Sequence, residues 1–217
     1  MSTQSRSYPV TYDVEAPPGE RNRLTSAFRI ILAIPHALLI GGPGVAGWSV
    51  AVSNEGTRIG STALGIIGAA ASVIAVISWF AIVFTGRQPR GLWDFTCFYL
   101  TWRSKAVAYM ALLRDEYPPF GDGPYPLSFS IGEFPETRDR VSVGFRLILA
   151  VPHFIVLFFI GIAWFFTAVV GWFAILFTGT YPQGLFRFSV GYLRWSLRFE
   201  AYLLLMQDAY PPFSLDL

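Results

Sequence analysis

The sequence predicts an all-α integral membrane protein built as a tandem repeat of two transmembrane-helix hairpins. Apolar residues make up 53% of the 217 positions and charged residues only 14%, whereas globular chains average about 25% charged residues. Two stretches, residues 59–84 and 147–186, contain no Asp, Glu, Lys or Arg. A membrane-spanning helix needs about 20 apolar residues, so both stretches are long enough to cross a bilayer. The repeat is predicted because the same short motifs occur twice along the chain.

The first element of each copy has the alternating pattern of a half-exposed β-strand. Residues 8–14 are YPVTYDV, and residues 125–131, which follow 117 positions later, are YPLSFSI. Apolar and polar side chains alternate along both, which is the period of a strand with one buried face. We expect these cytoplasmic strands to pair with each other. The alternative is an exposed edge that accepts a strand from a partner.

Two apolar helices are predicted to follow in each copy, near residues 28–45 and 61–84 and near residues 145–160 and 163–180. They begin with FRIILAIPH and FRLILAVPH, 117 positions apart, and end with WFAIVFTG and WFAILFTG, 93 positions apart. The change in spacing means that the first copy carries 24 additional residues between these motifs. The second pair has about 18 residues per helix, or roughly 27 Å. That length barely crosses a bilayer, so a re-entrant hairpin is the alternative.

The last element of each copy is an aromatic and basic helix, within residues 92–114 and 185–208. It follows a Thr-Gly-x-x-Pro-x-Gly turn and ends at DEYPPF or DAYPPF, because proline cannot continue a helix. Arg187, Arg194 and Arg198 share one helical face. This pattern predicts an amphipathic helix at the membrane interface, with its arginines near lipid phosphates. A helix that packs on its own bundle is the alternative.

The repeated motifs divide the chain and carry a family resemblance. The predicted segments are an N-terminal tail (1–7), repeat 1 (8–120), a linker (121–124), repeat 2 (125–213) and a C-terminal tail (214–217). Both repeats contain FTGxxPxGLxxF and DxYPPF. These motifs resemble a bacterial membrane-protein family catalogued only as a domain of unknown function. The resemblance covers about residues 8–213; it supports this architecture and implies no activity.

The positive charges predict that both termini face the cytoplasm, in a multi-pass protein of the inner membrane. Of the 16 Lys and Arg, only Arg58 lies at a hairpin tip of the predicted four-helix arrangement, and cytoplasmic loops carry an excess of these residues. The first 27 residues do not have the pattern of a cleaved signal peptide. The lone Cys97 excludes a disulfide framework. A net charge of +2 does not indicate a nucleic-acid partner.

Arginine and histidine recur in the apolar helices as candidate binding residues. Arg29 and His36 lie two turns apart on one helical face, and a second pair repeats this spacing 117 positions later. The arginines are explained by anchoring at lipid headgroups, and the histidines by capping a carbonyl freed by the neighbouring proline. Alternatively, the two pairs converge between the copies and hold an anionic lipid headgroup or a partner's carboxylate. The predicted lipid- or partner-binding residues are Arg29, His36, Arg146, His153, Arg187, Arg194 and Arg198.

The sequence predicts a non-enzymatic accessory or scaffold subunit of a larger membrane-protein complex that binds anionic lipid headgroups. Two histidines in separate copies make a poor zinc site, so neither a metal nor a cofactor is expected. Asp115, Glu116 and Asp208 precede prolines, where carboxylates commonly cap or solvate a turn. A small-solute or lipid transporter or channel component is the alternative function. A membrane enzyme is the least favoured class.

Overall fold

The fold is mostly helical, and the computed structural model describes residues 8–43, 49–53, 56–60 and 65–216. The helices are α1 (Arg23–Ala27), α2 (Arg29–Ile40), α3 (Gly65–Thr85), α4 (Arg90–Met110), α5 (Arg140–Gly144), α6 (Arg146–Thr178) and α7 (Gln183–Leu203). The strands are β1 (Thr11–Val14), β2 (Ser49–Ser53), β3 (Gly56–Gly60) and β4 (Leu127–Ser130).

The predicted pairing of the two N-terminal strands is confirmed. β1 pairs antiparallel with β4, with Thr11 opposite Ser130 and Val14 opposite Leu127. Tyr12 and Val14 are buried while Asp13 is exposed, as the alternating sequence pattern predicts. A second antiparallel pair, β2 with β3, lies between α2 and α3.

The predicted second hairpin of apolar helices is wrong, because α6 is one continuous helix of 33 residues. The turn expected near residues 160–163 is absent from this helix, and Gly161 lies inside it. A Cβ added to Gly161 would come 3.0 Å from the hydroxyl oxygen of Tyr192 on α7. This glycine therefore serves close packing between helices, and the long uncharged stretch forms one long helix.

In the first copy, α2 and α3 correspond to the two parts of α6. The spacing of 117 aligns Ile40 with Leu157, and the spacing of 93 aligns Gly65 with Phe158. The 12 residues of α2 and the 21 residues of α3 together match the 33 residues of α6. A Cβ on Gly65 would lie 2.5 Å from the backbone nitrogen of Gly41, so the two helix ends are adjacent. The 24 additional residues therefore interrupt a long helix.

α4 and α7 form a middle layer of the protein. α4 packs against α2 and α3, α7 packs against α6, and α4 and α7 contact each other. The sheet contacts this layer through β1 on α7 and β4 on α4. Each middle helix is entered through a glycine with positive φ, Gly86 (φ 73°) or Gly179 (φ 71°), a conformation that suits glycine. The middle helices therefore lie between the long apolar helices and the sheet.

The prediction that α7 is an interfacial helix is wrong. Every residue from Ser189 to Tyr202 is buried. α6, α4, β1 and the C-terminal segment surround this part of α7, so Arg194 and Arg198 find partners inside the protein. The alternative, a helix that packs on its own bundle, describes α7 and also α4, which is buried from Tyr99 to Tyr109 apart from Thr101.

We call α2 with α3, and α6, the two long helices. They run antiparallel, because the start of each lies beside the end of the other. Near the end of α3, Trp79 donates from Nε1 to the carbonyl of Val143 on α5, at 2.9 Å. Near the end of α6, Trp172 donates from Nε1 to the carbonyl of Ser26 on α1, also at 2.9 Å. α1 and α5 lead directly into α2 and α6. The end of the long helix in each copy therefore contacts the start of the long helix in the other copy.

In the described part of the chain, two helices, α3 and α6, are long and apolar enough to cross a membrane. Only 22% and 17% of their most apolar segments are buried inside the protein. Their exposed residues are largely apolar, which distinguishes them from the core helices of a soluble protein.

Candidate functional site

Asp208 holds two arginines that precede and begin α6. Its Oδ1 accepts hydrogen bonds from Arg138 Nη2 at 2.6 Å and Arg146 Nη2 at 2.9 Å. Arg146 also donates to the carbonyl of Tyr202 at 2.9 Å and lies 4.3 Å above the centre of its ring. Burial alone would raise the pKa of Asp208, but hydrogen bonds from Arg138 and the backbone N–H of Asp139, with the charges of the two arginines, lower it below its ordinary value. Asp208 therefore remains a carboxylate that fixes the start of α6.

Asp115 makes the equivalent cluster at the start of α2. Its carboxylate lies 3.0 Å from Arg21 Nε and 2.7 Å from Arg29 Nη2. Arg29 also donates to the carbonyl of Arg114 at 2.7 Å and lies 4.0 Å above the ring of Tyr109. Both aspartates thus belong to the DxYPPF motif, and both bind the arginine that begins a long helix.

The histidine in each long helix is enclosed by aromatic side chains. Trp195 donates from Nε1 to Nδ1 of His153 at 3.1 Å, and the Phe213 ring stacks on the imidazole with a centroid distance of 4.0 Å. Because Nδ1 is the acceptor, the neutral ring carries its proton on Nε2. His36 has the same two contacts, with Trp102 at 3.1 Å and Phe120 at 4.5 Å.

The histidines therefore do not cap the helix carbonyls freed by the neighbouring prolines, as predicted. Nδ1 accepts from a tryptophan, and Nε2 makes no hydrogen bond to those carbonyls. The aromatic residues that surround them come from the last helix and from the YPPF segment of the same copy. This segment does not end the helices as predicted, because α4 and α7 already stop at Met110 and Leu203. Its final phenylalanine instead covers the buried imidazole.

The arginines of α7 bind the sheet and the C-terminal segment. Arg194 donates to the carbonyl of Tyr12 at 2.7 Å and to Asp13 Oδ1 at 3.0 Å. Arg198 donates to the carbonyl of Val10 at 3.1 Å and to that of Asp216 at 2.8 Å. These contacts correct the expectation that both side chains point toward lipid phosphates, since backbone carbonyls satisfy the guanidinium groups instead.

A buried ion pair joins the two middle helices. Arg103 Nε donates to Glu200 Oε2 at 2.7 Å, and Tyr99 donates to Oε1 of the same carboxylate at 3.1 Å. Burial alone would lower the pKa of Arg103, but the charge of Glu200 raises it above its ordinary value. Arg103 also donates to the carbonyl of Ile40 at 2.9 Å. The guanidinium thus caps α2 where the insertion interrupts the long helix.

Six of the seven predicted site residues are buried in these contacts, and Arg187 is exposed. The predicted convergence of the two arginine–histidine pairs is wrong. Arg29 and His36 contact residues 102–120, whereas Arg146 and His153 contact residues 195–213. The antiparallel long helices carry these clusters at opposite ends. Arg187 lines a cavity of about 620 Å³ with Arg21, Tyr181 and Gln183.

Sequence reasoning did not assign Asp115, Asp208, Trp102 and Trp195 to these clusters. Each occurs in both copies at the spacing of 93, and this repetition is the signal that marks them. Among the described residues, no group of three or more His, Cys, Asp and Glu side chains could hold a metal ion.

α6 has a buried face and an apolar exposed face along its whole length. The buried residues recur at helical spacing and are Arg146, Ala150, His153, Leu157, Trp164, Gly171 and Ile175. The opposite face exposes large hydrophobic side chains, among them Leu147, Ile148, Val151, Ile155, Phe158, Phe159, Ile162, Phe165, Phe166, Val169, Val170, Phe173 and Phe177. A continuous apolar face of this extent marks an interaction surface. We call it, with the equivalent exposed faces of α2 and α3, the apolar stripes.

One family of uncharacterised proteins matches most of the chain. The family described as Domain of unknown function (DUF4389) matches residues 60–121 and 140–214. The chain belongs to this family. The two matched segments contain both FTG turns, both middle helices and both DxYPPF motifs, which agrees with the resemblance drawn from the motifs. No curated protein and no solved structure matches the chain.

Proposed function

We propose that this DUF4389 protein is a non-enzymatic membrane protein that serves as an accessory or scaffold subunit of a larger membrane complex and binds anionic lipid headgroups. The apolar stripes on α2, α3 and α6 carry the proposal, because they expose large hydrophobic side chains along both long helices. Acyl chains of a membrane are the natural partner of such a surface. We place the protein in the inner membrane, with both termini on the cytoplasmic side.

The buried charges favour a structural role over transport. Asp115, Asp208 and Glu200 are each bound by arginines within the protein. An ion-coupled carrier needs ionisable groups that face a cavity and exchange partners. In the described chain these three carboxylates instead fix the ends of the long helices and the contact between the middle helices.

Exposed arginines at the helix ends support binding to anionic headgroups. The guanidinium of Arg23 lies beside Gly179 and that of Arg140 beside Gly86, and both side chains are exposed. Arg187 is exposed near the first of these positions, beside the 620 Å³ cavity. Arginine guanidinium groups bind phosphate oxygens in bidentate geometry.

Membrane binding is tested by flotation with lipid vesicles. The double variant Phe158→Lys with Phe166→Lys places two charges on the apolar stripe, and Ser128→Lys with Ser130→Lys places the same charges on exposed positions of β4. We expect the stripe variant to lose membrane association and the β4 variant to float like the wild type. Equal flotation of all three proteins, or a wild type that does not float, would disprove the role of the stripe.

The headgroup preference is tested with vesicles of phosphatidylcholine with and without phosphatidylglycerol. Arg23→Gln with Arg187→Gln removes two positive charges, and Ser128→Asp with Ser130→Asp changes the net charge by the same amount. We expect only the arginine variant to lose its preference for phosphatidylglycerol. An equal loss in both variants would show a response to net charge and no headgroup site.

The accessory role is tested by purification from native membranes in a mild detergent. We expect a stable assembly that contains at least one other membrane protein. A chain that purifies alone and moves solute across proteoliposomes would support the transporter alternative instead.

A further inference from the structure

We infer that the long apolar helices lie parallel to the membrane surface within a single leaflet and do not cross the bilayer. This inference rests on the proposed membrane association and specifies how the apolar stripes meet lipid. The partner of the stripes is then the acyl-chain layer of one leaflet. The β1–β4 sheet and the termini lie on the aqueous side.

Polar clusters lie at both ends of the antiparallel long helices. The Asp115 cluster is at the start of α2 and the Asp208 cluster is at the start of α6. The exposed Arg23 and Arg140 lie beside the ends of α6 and α3. Helices that crossed the bilayer would place one set of arginines on each side of the membrane. This placement conflicts with the usual excess of basic residues on the cytoplasmic side. Helices that lie flat place both sets at the headgroups of the same leaflet.

The middle of α7 lies beside the first half of α6, away from the ends of that helix. Trp195 binds His153, and the ring of Tyr192 stacks on that of Trp164 with a centroid distance of 4.9 Å. This part of α7 therefore lies beside residues 153–164, which extend from about a quarter of the way along α6 to its middle. Whatever else binds the middle of α7 must lie at the same level along the long helix.

The β1–β4 sheet binds this same part of α7. The carbonyl of Tyr12 accepts from Arg194 and that of Val10 accepts from Arg198. If α6 crossed the bilayer, the sheet would therefore lie at the depth of the hydrocarbon core. Its Asp13 and Ser128 are exposed, and a charged side chain is unfavourable there. A two-stranded sheet also has open edges, which do not occur in contact with lipid chains.

The lengths and directions of the helices lead to the same orientation. α6 has 33 residues, or about 50 Å, whereas the hydrocarbon core is about 30 Å thick. Because α3 ends beside the start of α6, a bilayer centred on α3 would leave the last third of α6 in water. Phe173 and Phe177, which are exposed, lie in that third. A flat orientation covers both stripes along their whole length.

The test measures the depth of nitroxide labels in vesicles of phosphatidylcholine and phosphatidylglycerol. Single cysteines are introduced at Ile148, Phe159 and Phe177, which share the exposed face of α6, in a Cys97→Ser background. A fourth label at Ser128 reports on the sheet. We expect similar depths within one leaflet for the three α6 labels, from collision with oxygen and with a water-soluble nickel complex. The label at residue 128 is expected in water.

Two other results would overturn the flat orientation. One of them is compatible with the proposed membrane association and the other is not. Residues 148 and 177 are about 43 Å apart along the helix. Labels near opposite headgroup regions, with the label at 159 deepest, would show a crossing helix and keep the proposed membrane association. Four labels in water would overturn both proposals.

Polarised infrared spectroscopy of the unlabelled protein gives a second measurement that needs no variant. In supported bilayers, we expect the amide I band of the helices to be polarised in the membrane plane. Polarisation along the membrane normal would overturn the flat orientation even if a cysteine variant failed to fold.

Discussion

Replacing Asp208 by alanine tests whether the DxYPPF motif stabilises the fold through its aspartate. The carboxylate lies 2.6 Å from Arg138 Nη2 and 2.9 Å from Arg146 Nη2, and the two arginine side chains are 0% and 1% exposed. Asp208→Ala leaves two buried guanidinium groups without their counter-charge. Removing one partner of a buried ion pair costs about 3–5 kcal/mol. We expect the lower end, about 3 kcal/mol, because Asp208 is itself 23% exposed.

The assay is unfolding of the purified protein in mild detergent micelles, followed by circular dichroism. For a chain of this size, 1 kcal/mol shifts the melting temperature by roughly 2–4 °C, so we expect a decrease of about 6–12 °C. Asp13→Ala is the matched control, since Asp13 is 53% exposed and Arg194 keeps its contact with the Tyr12 carbonyl. The control is expected to cost less than about 1 kcal/mol. If Asp208→Ala melts with the control, Asp208 does not stabilise the start of α6.

The same carboxylate predicts how stability depends on pH. The arginines lower the pKa of Asp208 in the folded protein, so its contribution is complete above the ordinary aspartate pKa near 4 and is lost as the pH falls through the lowered pKa. The wild type should therefore lose melting temperature below about pH 4. Asp208→Ala should lose less over that range. Parallel curves for the two proteins would contradict the pKa assignment.

Two further substitutions test packing around α6. Trp195→Phe removes the donor to His153 Nδ1 and leaves a buried acceptor unsatisfied, so we expect a loss of about 1–3 kcal/mol in the free energy of unfolding. Gly171→Ala places a Cβ 2.6 Å from the ring of Tyr181, and overpacking of this kind costs about 1–3 kcal/mol. Gly184→Ala is its control, because a Cβ there would have no atom within 4 Å. For each of the two variants, a melting temperature equal to that of the wild type would contradict the account given for that residue.

Local sequence patterns predicted the elements whose structure depends on near neighbours. The strands at residues 8–14 and 125–131 were identified by alternation alone, and their pairing with each other was preferred to an exposed edge that accepts a partner strand. The turns at Gly86 and Gly179 were identified from the repeated Thr-Gly-x-x-Pro-x-Gly motif, and glycine accepts the positive φ that the structure has there. In these cases a few adjacent residues determine the backbone.

Sequence did not reveal that residues 146–178 form one helix. A stretch of uncharged residues has the same composition whether it crosses a membrane twice, once or lies in a leaflet. Gly161 was consistent with a turn, but its role depends on Tyr192, which lies on another helix. Only the position of that side chain distinguishes a turn from a close helix contact.

The environment of the arginines on α7 was also beyond sequence reasoning. An amphipathic helix with aligned arginines has the same pattern at a lipid surface and in a protein interior. The partners of Arg194 and Arg198 are the carboxylate of Asp13 and carbonyls of residues 10, 12, 215 and 216, which lie up to 188 positions away. The sequence does mark the duplicated aspartates and tryptophans, because Asp115 and Trp102 recur 93 positions later and the arginines that bind the aspartates recur 117 positions later.

The reciprocal contacts of Trp79 with Val143 and of Trp172 with Ser26 have a consequence for how the chain came to be one polypeptide. Two separate copies of a half-length ancestor would satisfy the same contacts by exchanging their ends, as subunits of a symmetric dimer do. Fusion of the duplicated genes would preserve these reciprocal contacts within one chain. Cleaving the connection at residues 121–124 should therefore leave two fragments that stay associated, whereas either fragment expressed alone should not fold.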